Sequence, residues 1–478
     1  MALLVAAALA GCGTTTYFAG RTLPPSGLAN RVLIAIQNPS ALQIVDAYYD
    51  IRFKYNSANT SAAFSISGFS GKLTITIQNM PEELAGAVYG SGDGTLTMIS
   101  YASEKTTGSV SGLNGLSSSI FTTRNQSYAF AANQSTHELT VVDKSSTSAG
   151  TYALNLPGVY RVSVNPGGSA ALAFVQNSNY VYYPRKLTGT QSLAYSGGPT
   201  TWPKAAVDCE PQNAPGWCLF QAQSPDNTDA TGNYYGAPLV FDRPVKAVFS
   251  ADGGIAYVLN CGPECGGNAS SVSLLPVAPI IYLIGQPSGL LPCNTSPCVN
   301  THTVPITNIP VSGGASNALV NSSTLYVVGQ KHMTDSFWGG YLTVVNLSTN
   351  AVSSSVSISD GTPGAMSRML LADDNTLWIG MTQCTNGERA NNSLPYGCLT
   401  MFNTSTNKVS LLEPYIGDAT GIAAVTGLHK IYTAEGGQVY IYSTVDGTAI
   451  DNQYVTVTGT AYDVAYMDGL TDANNTVY

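Results

Sequence analysis

Eight of the nine cysteines in this 478-residue chain fall into four close pairs: Cys209 with Cys218, Cys261 with Cys265, Cys293 with Cys298, and Cys384 with Cys398. Two thiols that close in sequence can hold a metal as thiolates or close a disulfide. Structural zinc wants Cys-x-x-Cys or mixed Cys/His spacing, and no pair here has the Cys-x-x-Cys form. Each pair instead lies inside one expected loop or hairpin, where the Cα atoms can approach to the roughly 4.4–6.8 Å that a disulfide requires. The pairs therefore read as four disulfides, which form and persist in oxidising compartments.

Other chemistry is sparse. The four histidines, His137, His302, His332 and His429, show no His-x-x-x-His or Cys/His ligand spacing. The chain has no Gly-x-Ser-x-Gly elbow, no Walker loop and no Asp-rich calcium loop. Asp252, Asp360, Asp373, Asp374 and Asp446 sit at expected turns, where a short carboxylate stabilises the local backbone. No catalytic residue, metal ligand or cofactor is assigned.

Two loops gather groups that could recognise a ligand. Gln330 to Gly340, QKHMTDSFWGG, brings together His332, Asp335, Phe337 and Trp338. Thr382 to Gly397, TQCTNGERANNSLPYG, carries Glu388 and Arg389 and is stapled by Cys384 and Cys398. Loops with aromatics and charges, held by a rigid scaffold, commonly make binding surfaces, and a stapled loop loses less entropy on binding.

The elements that must hold these loops are short strands. Val245 to Asn260, VKAVFSADGGIAYVLN, reads as a strand, a two-residue hairpin turn in which the Gly253-Gly254 pair supplies positive φ, and a second strand. The phrase recurs along the chain, usually followed by a third strand. Such a unit cannot bury its apolar face alone, so copies must stack. Eight second-plus-third strand pairs follow one another, at spacings near the 40–50 residues of propeller blades. The first unit, from Arg31, lacks an innermost strand, while the C-terminus offers a spare one, Ala461 to Met467. Pairing the two would close the ring and remove its open edges. The reading is all-β: a β-propeller with eight blades favoured and seven as the alternative, spanning residues 31–478. An irregular segment at about 196–243, with the first cysteine pair and Trp202 and Trp217, reads as an insertion.

Composition agrees with an exported protein of many turns. Charged residues are 10% of the chain, against roughly 25% in ordinary soluble domains. Hydrophobic residues at 44% argue against disorder. A net charge of −9 leaves no basic stripe for a phosphate backbone, which excludes nucleic acid as partner. Met1 to Gly11, MALLVAAALAG, is shorter than the roughly 20 apolar residues a bilayer crossing needs and fits the core of a signal peptide. Leu9-Ala10-Gly11-Cys12 resembles the lipobox of bacterial lipoproteins. That resemblance implies cleavage before Cys12, a lipid on its sulfur, and a place in the bacterial envelope as an outer-membrane lipoprotein facing periplasm or exterior. Gly13 to Asn30, with Pro24-Pro25-Ser26-Gly27 and no periodicity, reads as a tether, so that residues 12–30 form a lipidated tether.

The phrases FSADGGIAYVLN, TLYVVG…GGYLTVVNLSTNAV and KIYTAEGGQVYIYSTVDGTAI resemble the YVTN-type bacterial propeller repeat. The resemblance implies the propeller fold and export. The functional expectation is a non-enzymatic binding or scaffold protein whose loop face takes a protein or glycan partner. The alternatives are a propeller enzyme of lactonase or dehydrogenase type, with acidic or His side chains converging on the axis, and a structural surface-layer or matrix subunit.

Overall fold

Alternating apolar residues on short β-branched and aromatic strands favour pleated sheets that can bury both faces. The computed structural model realises this as eight antiparallel sheets in a ring. It describes residues 23–52, 64–72, 75–110, 113, 117–145, 150–187, 197–200, 202, 205–213, 215–228, 234–282, 306–359, 364–394, 396–412, 416–450 and 455–470. The expected leader 1–11 and Cys12 lie outside these residues. So do Cys293 and Cys298, the third expected disulfide pair, and His302.

Numbered from the N-terminus, blade 1 joins both ends of the chain. Thr460–Tyr466 is its innermost strand, followed outward by Arg31–Gln37, Ala41–Asp46 and Ser65–Ile66. Val32 pairs with Tyr466 and Ile34 with Val464. This is the closure expected from the spare C-terminal strand. The innermost strands of blades 2 to 8 are Ile75–Met80, Ser117–Thr122, Val159–Val164, Pro244–Phe249, Asn317–Asn321, Ala365–Ala372 and Ala419–Val425. The blade count is eight, as favoured, and not seven.

The segment around 196–243 contributes to blade 4. Trp217–Gln221 pairs with Val181–Lys186, and Ala206–Glu210 adds beyond it, giving a five-stranded sheet. The short ribbon Asn227–Thr228 with Tyr234–Tyr235 follows. The turn of the pattern unit differs from the expectation. Phe249 pairs with Ala256 and Ser250 N–H reaches Ile255 O, so residues 251–254 make a longer connection than a two-residue turn. Only Gly253 of the Gly pair has positive φ, at 70°. Asp252 Oδ1 accepts from Ser250 Oγ at 2.6 Å and from Gly254 N at 3.0 Å, which satisfies the extra backbone without a tight hairpin.

The core follows from the architecture. Apolar clusters lie between successive blades, one at each of the eight interfaces, rather than around one centre. At the 8/1 interface, for example, Ala423 and Tyr432 pack with Val32 and Ile34. Toward the axis the interfaces become polar. Asp463 accepts from Ile77 N at 2.8 Å, Gln78 accepts from Thr122 N at 2.8 Å, Ser119 Oγ from Val162 N at 3.1 Å, and Ser163 Oγ from Ala247 N at 3.2 Å. In each case a side chain of one inner strand satisfies the free backbone edge of the next, which an innermost strand would otherwise leave unpaired. Among the described residues no helix is long and apolar enough to cross a membrane.

Candidate functional site

Loops between second and third strands emerge on one face of the ring. Three of them meet side by side. In blade 5 the Cys261–Cys265 disulfide closes a single turn that carries Glu264. Glu264 Oε2 accepts from Gln330 N in blade 6 at 2.9 Å. Burial pushes its carboxyl up to about 7, although the Gln330 hydrogen bond favours the ionised form. In blade 6, Thr324–His332 and Trp338–Asn346 carry the next loop. In blade 7 the Cys384–Cys398 disulfide holds a loop with the short helix Glu388–Asn391.

The sequence-derived residues separate into two kinds here. Arg389 is buried, and its Nη2 lies 2.7 Å from Asp335 Oδ2 while its Nε donates to Trp338 O at 3.3 Å. It fastens the blade 6 loop to blade 7 instead of facing solvent. Asp335 also accepts from Phe337 N at 3.1 Å, which shapes the loop tip. His332 is exposed and stands edge-on to the half-buried Trp338, ring centres 5.8 Å apart. Glu388 is exposed at the start of its helix, and Phe337 is half-buried. The face therefore offers an aromatic–imidazole edge and a carboxylate, on loops braced by Arg389, Glu264 and two disulfides.

The cysteine expectations are met wherever the chain is described. Cys209–Cys218 bridges the outer strands of blade 4, and Cys261–Cys265 and Cys384–Cys398 close their loops as expected. The expected bridge between Cys293 and Cys298 falls outside the described residues, so three of the four pairs are seen as disulfides. Asp418 lies beside Cys384 and Cys398, but both sulfurs are in the disulfide, so this group offers no thiolate to a metal. Asp418 instead accepts from Gln383 N at 2.7 Å.

A second constellation lies on the axis and was not anticipated. The inner strands of blades 1, 3, 4, 5, 7 and 8 each carry a register shift against their neighbour. The skipped residues are Tyr462, Ser118, Tyr160, Val245, Ser367 and Thr420. A bulge re-aims the side chain that follows it. Those following residues are Asp463, Ser119, Arg161, Lys246, Arg368 and Gly421, one level of the ring. Lys246 is buried and donates to Asn317 Oδ1 of blade 6 at 2.7 Å. Burial, and then the positive charges of Arg161 and Arg368, push its ammonium down to about 7. Arg368 Nη2 lies 3.2 Å from Asp463 Oδ2, and its Nε donates to Thr420 O at 2.9 Å. Arg161 Nη1 reaches the carbonyls of Val245 and Ser316, each at 3.5 Å. A cleft of about 230 Å³ opens between blades 4 and 5, lined by Tyr160, Val245, Asn177 and Arg243 among others.

The axial chemistry considered from the sequence is that of acidic or His side chains, so these cations are not among the candidate residues. The signal was present: basic residues are scarce, 19 in the whole chain, and three sit inside apolar inner strands. What was missing was the bulge, which a strand pattern does not reveal.

No family model and no curated protein matches the chain. Solved structures do. Dihydro-heme d1 dehydrogenase NirN in complex with DHE aligns with a TM-score of 0.54 at 11% identity, covering 94% of this chain and 79% of that one. Sqt1 of Saccharomyces cerevisiae aligns at 0.49 and 10%, over 82% and 87%. Apo AztD from Citrobacter koseri aligns at 0.45 and 11%, over 92% and 98%. At 11% identity the likeness to the NirN structure concerns the propeller fold alone.

Proposed function

We propose that this propeller is an exported binding platform, anchored to the bacterial envelope by lipid on Cys12 and presenting the loops of blades 5 to 7 to a protein or glycan partner. The observation that carries the reading is the bracing of three neighbouring loops, Glu264 to Gln330 and Arg389 to Asp335, with a disulfide closing the first and another the third. Loops ordered in advance lose less freedom on binding, so more of the contact energy becomes affinity. Export is supported by the disulfides, which persist where thiols are not kept reduced. The YVTN-type phrases and the Leu9-Ala10-Gly11-Cys12 run point the same way.

Two measurements test it. Expressed with its own leader in a bacterium, the chain should yield an N-terminal peptide with diacylglycerol on Cys12, and Cys12→Ser should release the protein from membranes. The purified ring should bind one glycan on an array, or one envelope protein in reciprocal capture. Trp338→Ala with Glu388→Ala should weaken that binding at least tenfold. Binding that ignores this double change would sink the loop-face assignment.

A further inference from the structure

The bulge level of the channel has a charge pattern that the fold does not require. At this level blades 1 and 3 carry Asp463 and Ser119, which reach the backbone of the next inner strand. At the equivalent level blades 4, 5 and 7 place Arg161, Lys246 and Arg368. Arg368 has Asp463 beside it. Among the described residues neither Arg161 nor Lys246 has a carboxylate within ion-pair reach. An ammonium has three N–H donors. Lys246 has one acceptor, Asn317 Oδ1, and that oxygen is shared with Ala318 N at 2.9 Å. The Arg161 contacts are long, 3.5 Å each, to the carbonyls of Ser316 and of Val245, the latter also accepting from Tyr160 Oη. Lys246 is buried and Arg161 half-buried; burying a cation without counter-charge is costly, and it is costlier when another cation lies close by. In a chain of net charge −9, this is a local surplus of positive charge at the centre of a closed ring. The cleft between blades 4 and 5 is walled by Tyr160 and Val245, the bulged residues preceding Arg161 and Lys246, while Arg161, Lys246 and Arg368 are not part of its lining.

We propose that the axial channel binds a small oxyanion, a phosphate or carboxylate group, held between Arg161 and Lys246 with Arg368 as the third cation. A guanidinium supplies paired N–H donors in the plane that such an oxyanion presents, and the ammonium adds a compact charge. Asn317 positions Lys246 by its Oδ1 and is itself fixed by Nδ2 donating to Met366 O at 3.0 Å. Asp463 keeps Arg368 aimed along the ring, and Gly421, with no side chain of its own, admits Asp463 at close range. The site does not depend on the loop face, and a failed partner search there leaves it intact.

The test is calorimetric titration of the purified protein with inorganic phosphate, sulfate and succinate, each against chloride at matched ionic strength. The expected result is saturable binding of at least one of them, with about tenfold or greater loss in Lys246→Met and in Arg161→Gln. Phosphate and sulfate binding without succinate names a phosphate-like group as the ligand; succinate binding names a carboxylate. Sulfate keeps its charge across pH 6 to 9, so its affinity should fall as pH rises and Lys246 loses its proton among Arg161, Arg368, Asp463 and the neutral Asn317. Lys246→Met removes a buried charge and should fold at least as stably as the parent; if it does not, Arg161→Gln carries the same comparison. Equal behaviour in chloride and the oxyanions, or binding unchanged in both variants, overturns the site.

Discussion

Arg31 and Asp468 lie 437 positions apart in the chain, and Nη2 of the one is 2.6 Å from Oδ1 of the other. The guanidinium is fully engaged: Nε also meets Asp468 at 3.0 Å, and Nη1 meets Tyr101 O at 2.6 Å and Glu104 at 2.9 Å. Blade 1 is thus locked both to the returning C-terminal strand and to blade 2. Arg31 and Asp468 are each 2% exposed, so neither charge can fall back on water. Asp468→Ala leaves the guanidinium short of its main partner, and the expected cost is about 3–5 kcal/mol. Denaturant unfolding of Asp468→Ala and of Arg31→Met/Asp468→Leu checks this: the double variant should recover most of the loss, because it removes both buried charges.

Closure also depends on a residue with no side chain. A Cβ on Gly421 would stand 2.8 Å from both Asp463 Cα and Val464 N, closer than packed atoms come. Both are backbone atoms of the closing strand, so the neighbour cannot simply rotate away. Gly421→Ala should push blades 8 and 1 apart and destabilise by about 1–3 kcal/mol. Gly108, whose Cβ would meet nothing within 4 Å, provides the control: Gly108→Ala should be near neutral. Thermal midpoints of the two variants decide it.

Much of this ring was legible in the strand pattern, and what was missed has a physical reason. Eight repeating strand pairs and a spare C-terminal strand are consequences of apolar alternation, which is local and readable. The closure between Arg31–Gln37 and Thr460–Tyr466 could be inferred because an unpaired edge is unfavourable. Arg389 was read as part of a binding surface, whereas it is buried against Asp335 and Trp338; a helix of a few residues gives no periodicity from which its inward face could be read. Arg161, Lys246 and Arg368 were missed because their convergence depends on bulges in three separate blades, a non-local property.

Glu264 makes the blade 5–6 contact sensitive to pH. Its carboxyl is raised from 4.5 to about 7 by burial, so the folded chain keeps a proton that the unfolded chain has lost. Where the folded state binds more protons, stability falls as pH rises. The Glu264 contribution is therefore fully present below about pH 4.5 and is lost as pH climbs through about 7. Glu264→Gln keeps an oxygen for Gln330 N–H without the titration. The difference in thermal midpoint between parent and variant should grow in the variant's favour from pH 4.5 to pH 8; a difference independent of pH would contradict the burial of this carboxyl.

Arg389 should govern how firmly the blade 6 loop is held. The blade 6 loop has no disulfide of its own among the described residues, and Arg389 reaches it from the stapled loop of blade 7 through Asp335 Oδ2 and Trp338 O. Removing the guanidinium deletes a charge-assisted pair and a hydrogen bond, worth about 1–2 kcal/mol in so exposed a loop. Arg389→Ala should therefore speed amide exchange across residues 333–337 while leaving the inner strands of blades 6 and 7 protected. Arg389→Lys should restore little, because an ammonium cannot span both acceptors as a planar guanidinium does. Cys384→Ser/Cys398→Ser, which frees the platform carrying Arg389, should loosen the same residues. If exchange at 333–337 is unchanged in both, the loop is held by its own turn, in which Asp335 accepts from Phe337 N, and the bracing of one blade by the next is not what orders this face.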